Sequence, residues 1–103
     1  MIDWSRVYEL QDEIGEEDFD EIVALFLEEA EKALSVMVRS DAPATAEQMH
    51  FLKGSASNLG FTTLAELCKT AEAKAAHTPI STADVAAIVT TFKKSQAVFD
   101  AGG

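Results

Sequence analysis

Residues 17–39, EDFDEIVALFLEEAEKALSVMVR, place Phe19, Ile22, Val23, Phe26, Ala30, Ala33, Leu34 and Met37 at intervals of three and four. At about 3.6 residues per turn, that spacing draws one apolar stripe along an α-helix, whereas a strand would alternate every second residue. A stripe of this kind is stable only when another element covers it, so the chain is predicted to be a set of helices packed around a shared core. Asp18 and Glu21 have the spacing of a capping box, and acids in the first turn complement the helix dipole.

Working outward, a shorter helix is predicted over 4–14, opening after Asp3 as N-cap, closing at Gly15 and packing through Trp4, Val7, Tyr8 and Ile14. After the link 40–42, Pro43 suits a first helical turn, and a third helix is predicted over 43–59 with Gly60 as its left-handed cap. A fourth, over 63–77, carries Leu64, Leu67, Cys68, Ala71 and Ala75 and has Thr63 and Glu66 at capping-box spacing, with His77 at the negative pole of its dipole. Pro79 interrupts the chain. A fifth helix then runs from the Ser81–Asp84 cap to about residue 99, turning Val85, Ile88, Val89, Phe92 and Phe99 inward, with Ile80 and Val85 placed as a hydrophobic staple. Short links between amphipathic helices predict an all-α fold: an antiparallel up-down-up-down four-helix bundle with a short additional N-terminal helix, one domain over residues 1–103.

The chain has 103 residues, 48% of them hydrophobic, enough for one core but not two. Its net charge of −10 is lopsided: residues 1–31 hold twelve acids against Arg6 alone. That third would repel nucleic acid and anionic membrane, so neither is an expected partner. The chain has no run of 18 apolar residues, and its Met-Ile-Asp-Trp start lacks the pattern of a signal peptide, which places it in the cytoplasm. One cysteine, Cys68, permits no internal disulfide and no cysteine cluster for zinc.

The chemistry concentrates in residues 50–60, His-Phe-Leu-Lys-Gly-Ser-Ala-Ser-Asn-Leu-Gly. On a helix His50, Lys53, Gly54 and Ser57 share one face, while Met49, Leu52, Ala56 and Leu59 turn to another. Glycine inside a helix costs about 1 kcal/mol relative to alanine, so Gly54 calls for a compensating use. Without a Cβ one turn from His50, the imidazole can stand clear and something bulky can approach it. Lys53 adds a cation and Ser57 a hydroxyl. Together they describe a surface nucleophile prepared for an anion, most simply a phosphoryl group.

The same eleven residues resemble the signature of histidine-containing phosphotransfer (HPt) domains of two-component phosphorelays, which runs roughly His-x-Leu-Lys-Gly-Ser, small residues, an apolar residue and glycine. The resemblance implies a four-helix bundle with His50 exposed midway along one helix, phosphorylated and dephosphorylated reversibly. It implies Lys53 contacting the phosphoryl oxygens, Gly54 giving the partner access, and a polar residue of the next helix holding the other ring nitrogen, for which counting along that helix gives Glu72. The partners implied are response-regulator receiver domains and a hybrid sensor kinase, met by this chain as a monomer, with any Mg2+ held in the receiver's acidic pocket and no cofactor on this chain. Many members carry alanine before the histidine where this chain has Met49, a side chain that belongs either to the core or to the docking surface. Phe51 is open to the same two readings.

The expected reaction exchanges a phosphoryl group between a receiver aspartate and His50. Imidazole is nucleophilic only when neutral, and a carboxylate bonded to one ring N–H would fix the tautomer and leave the other nitrogen to attack in line. Nothing in the chain reads as a nucleotide-binding loop or kinase motif, so it is expected to be a carrier rather than an enzyme. Two rivals come from other classes. A non-phosphorylated adaptor bundle leaves Gly54 and Lys53 without a use. A metal enzyme needs converging ligands, and His50, His77 and Cys68 show no metal-ligand spacing.

Overall fold

In a computed structural model that describes residues 1–102, the chain forms five helices: α1 Trp4–Ile14, α2 Glu16–Arg39, α3 Ala46–Asn58, α4 Thr62–Lys74 and α5 Thr82–Ala101. The 24 residues of α2 span about 36 Å at 1.5 Å per residue, most of the 42 Å long axis. The other two extents, 21 Å each, are two helix diameters. Packing runs as a ring, α2 on α3, α3 on α4, α4 on α5 and α5 on α2, while α1 lies against α2 and α3. The structure is thus an all-α helical bundle with a short N-terminal helix.

The α2 stripe behaves as its spacing requires. Phe19, Val23, Ala30, Leu34 and Met37 are buried, with Ile22, Phe26 and Ala33 partly so. They meet Leu52 and Ala56 of α3, Leu64, Cys68 and Ala71 of α4, and Val85, Ile88 and Phe92 of α5 in one core. Each large apolar side chain removed from water contributes about 1.5–3 kcal/mol, so the ring of helices is fixed chiefly by these stripes. Met49 is fully buried, which settles it as core. Tyr8 is not a core residue: it is 55% exposed. Val7 and the unforeseen Leu10 are the buried residues of α1, with Trp4, stacked on Phe99 at 5.9 Å, and Ile14 partly buried against the core.

Three helix starts differ from the sequence expectation, and of the three only that of α3 is set by a side-chain cap. The third helix begins at Ala46, not Pro43, because Thr45 and Gln48 close a reciprocal capping box, with Gln48 N donating to Thr45 Oγ1 at 3.1 Å and Thr45 N to Gln48 Oε1 at 2.8 Å. Asp18 and Glu21 make no capping box, because α2 starts directly after Gly15, whose φ of +94° turns the chain and which caps by backbone alone. Glu16, Glu17 and Asp18 fill the first turn instead, where their charge favours the dipole.

Thr63 and Glu66 likewise form no cap. The N-cap of α4 is the fully buried Phe61, and the N–H and Oγ1 of Thr62 both donate to the carbonyl of Met1, at 3.1 and 3.0 Å. The extended N-terminal residues therefore form a strap across the α3–α4 turn, paired Ile2 to Phe61 and closed by Asp3 N donating to Gly60 O at 2.7 Å. At the far end, α4 stops at Lys74, and His77 lies exposed in the turn beyond, its N–H on the Lys74 carbonyl at 2.9 Å. The Asp3 cap of α1 and the Ser81–Asp84 capping box of α5 form as expected, and α5 continues past Phe99 to Ala101. No helix among the described residues is long and apolar enough to cross a membrane.

Candidate functional site

Helix α3 buries Met49, Leu52, Ser55 and Ala56, which turns the intervening positions His50, Lys53, Gly54 and Ser57 away from the core. The His50 side chain is 69% exposed. A Cβ added at Gly54 would have nothing within 4 Å, so the helix surface one turn from the imidazole is open, and glycine is there without any steric demand from the fold itself. Ser57 lies exposed one turn beyond Lys53.

Across the α3–α4 interface, Glu72 joins the site. One carboxylate oxygen, Oε2, lies 2.9 Å from His50 Nδ1, and the other, Oε1, accepts from Lys53 Nζ at 2.7 Å. The bond from the Lys53 ammonium, followed by that from His50 and the charge of both partners, holds the Glu72 carboxyl below the ordinary carboxylate range despite its partial burial. An ionised carboxylate only accepts, so Nδ1 carries the hydrogen of this bond, and in the neutral imidazole the lone pair falls to Nε2. The nucleophilic nitrogen is therefore the one away from Glu72. Lys53 has three N–H donors and spends one on Glu72.

One turn before Glu72, Cys68 is fully buried, and its thiol is pushed up to about 11, first by burial and then by the Glu72 charge. It stays a neutral thiol and does not rival the imidazole as nucleophile. His77 stands exposed in the loop after α4, and among the described residues no three His, Cys, Asp or Glu side chains converge as a metal site would require.

The five residues singled out in the sequence thus stand as three that touch (His50, Lys53 and Glu72) and two, Gly54 and Ser57, that line the exposed face beside them. Of the surface next to this face, sequence reasoning named Phe51, as core or docking surface, but missed Leu25. Leu25 of α2 is 55% exposed and Phe51 of α3 45% exposed, and with Ile22, Phe26, Glu29 and Ser55 they line a groove between α2 and α3. The available signal was Leu25 itself, a large apolar residue that falls off the buried stripe of α2.

Neither a curated protein nor a solved structure matches the chain significantly. The model of the Hpt domain family does match, over residues 21–97, about three quarters of the chain and all of α3 and α4. Hpt domains are phosphocarriers of two-component phosphorelays that exchange phosphoryl groups with response-regulator receiver domains. With a helical bundle, an exposed histidine midway along α3 and this match over most of its length, the chain belongs to the Hpt domain family.

Proposed function

We propose that this chain is a phosphorelay intermediate in which His50 accepts a phosphoryl group from the aspartyl phosphate of a response-regulator receiver domain and gives it back to such an aspartate, a hybrid sensor kinase being a further source. The observation that carries the reading is the 2.9 Å contact of Nδ1 with Glu72 on a ring that is otherwise open to solvent. It supports Nε2 as the attacking atom. The Nε2 lone pair forms the new P–N bond as the P–O bond of the aspartyl phosphate breaks, and the electron pair of that bond leaves with the aspartate carboxylate. Nδ1 keeps its proton, and the positive charge that develops on the ring is met by the Glu72 carboxylate.

Lys53 offers its remaining N–H donors to the equatorial phosphoryl oxygens, which are richest in charge as the group transfers. Gly54 leaves the approach free, and Ser57 supplies a hydroxyl at its edge. The Mg2+ that aids the transfer belongs to the acidic pocket of the receiver. The chain works as a monomeric, cytoplasmic carrier and binds no nucleotide, so the energy of the bond comes from its partners.

The test is phosphoryl uptake from a phosphorylated receiver domain by the wild-type chain and by His50→Gln. Uptake by the wild type and none by the variant, with helicity retained because the side chain is exposed, is the expected outcome. Equal labelling of the two would refute the assignment, and a wild type that binds receivers but never labels would mark an adaptor bundle instead.

A further inference from the structure

The groove between α2 and α3 runs along the flank of α3 that faces α2, about 100° round the helix from His50, because Phe51 is the next residue. Ile22, Leu25, Phe26 and Phe51 make its walls, with Glu29 and Ser55 the polar residues that line it. It is an open depression of about 200 Å³. A typical small-molecule site holds about 300–1,000 Å³, so this one is too small for a metabolite and is sized for one protruding side chain of another protein.

The charge around it is one-sided. Asp18, Ile22, Leu25 and Glu29 follow one another at intervals of four, three and four, so the acids sit in line with the apolar residues on one face of α2. Glu21 and Glu28 flank that face; Lys32, the first base along α2, is paired with Glu28 at 3.4 Å, and Lys53 of α3 is engaged with Glu72 at 2.7 Å. Leu25 and Phe51, from two different helices, are half-exposed at the same groove, so they form a joined apolar patch rather than isolated exposed side chains.

From this arrangement we infer that the groove is the seat that selects the phosphorelay partner: it takes a protruding aliphatic or aromatic side chain from a partner surface whose rim carries lysine or arginine, and it turns away receivers with an acidic rim. The inference rests on the phosphorelay reading, because the partner is the protein that meets His50. An apolar centre supplies most of the affinity in such encounters, while the charged rim sets the rate and the choice of partner. Asp18 and Glu29, rather than the residues that handle the phosphoryl group, then act as the discriminating charges.

The experiment uses the full chain, its Leu25→Asp and Glu29→Lys variants, and two donors: a panel of phosphorylated receiver domains with basic or acidic rims, and phosphoramidate, a small donor that needs no docking surface. Leu25 is exposed, so neither substitution disturbs the core. Leu25→Asp is expected to slow transfer from basic-rimmed receivers on the order of tenfold at subsaturating concentration, the usual effect of removing one apolar anchor. Glu29→Lys is expected to slow the basic-rimmed receivers, to speed the acidic-rimmed ones and to flatten the salt dependence of both.

Phosphoramidate labelling of His50 is expected to proceed equally in all three proteins. Unchanged receiver kinetics in both variants, with His50 labelled by the small donor, would overturn the docking inference alone. A wild type that labels from neither donor would overturn the phosphorelay reading beneath it. A concentration-dependent dimer abolished by Leu25→Asp, seen by sedimentation with receiver transfer unaffected, would show that a second copy of the chain occupies the groove and would also overturn the inference.

Discussion

At the scale of single residues, the site depends on one carboxylate shared by two neighbours. Glu72 fixes which imidazole nitrogen keeps its proton and also holds Lys53 in place. Gln at 72 keeps the shape but can donate through its amide, so the ring is free to adopt the other tautomer. Glu72→Gln is expected to slow transfer from a phosphorylated receiver on the order of tenfold, the effect of losing about 1.4 kcal/mol of transition-state stabilisation.

The same residue has a pH signature. Its carboxyl is held below its ordinary value near 4.5, so its contribution to stability is complete above that value and fades as pH falls through the lower folded-state value. Urea unfolding should show a wild-type advantage over Glu72→Gln that is constant near neutrality and shrinks below about pH 4.5. An advantage that grew on acidification would contradict the pairing. Gly54 carries a second residue-scale prediction. The space above it is open, so Gly54→Leu should raise thermal stability by relieving about 0.5–1 kcal/mol of glycine's helix penalty while it slows transfer by crowding His50. Stability and stopped-flow measurements on that variant should move in opposite directions.

At the scale of elements, the α3–α4 turn positions the site, because α3 brings His50 and Lys53 and α4 brings Glu72. Gly60 makes that turn with a φ of +75°, and a Cβ there would stand 2.6 Å from the backbone oxygen of Asp3. Gly60→Ala therefore strains the turn and displaces the N-terminal strap, and chemical denaturation should show a loss of about 1–3 kcal/mol. This turn also marks where the sequence was legible and where it was not. Gly60 read as a left-handed cap because only glycine suits that conformation, and the periodic stripes gave every helix. The strap did not read, because Met1, Ile2 and Asp3 pair through backbone atoms with residues some sixty positions away, and backbone pairing leaves no trace in side-chain identity. Cap position was the other source of difference: Asp18 with Glu21 and Thr63 with Glu66 have capping-box spacing but lie inside helices that already begin at Glu16 and Thr62, whereas Thr45 with Gln48 closes its box.

At the scale of the whole molecule, negative charge is concentrated in the first 31 residues, which form α1 and the first part of α2. Arg6, the only base among the first 31 residues, is engaged with Glu9 at 2.9 Å and Glu13 at 3.5 Å, which leaves the acids of α2 to face outward. The remainder of the chain is close to neutral and presents the imidazole. His50 was legible because its Gly-Lys neighbours break the ordinary rules of a helix, whereas the groove beside it was not, because Leu25 and Phe51 become neighbours only once α2 and α3 are packed. A phosphorelay role requires the folded chain to take up a phosphoryl group on one atom, His50 Nε2. Nitrogen and phosphorus NMR of the isotopically labelled chain after transfer from a phosphorylated receiver tests it directly. A single phosphoryl group bonded to Nε2 of His50 is the predicted result, and a phosphoryl group on Nδ1 or on any other residue would contradict it.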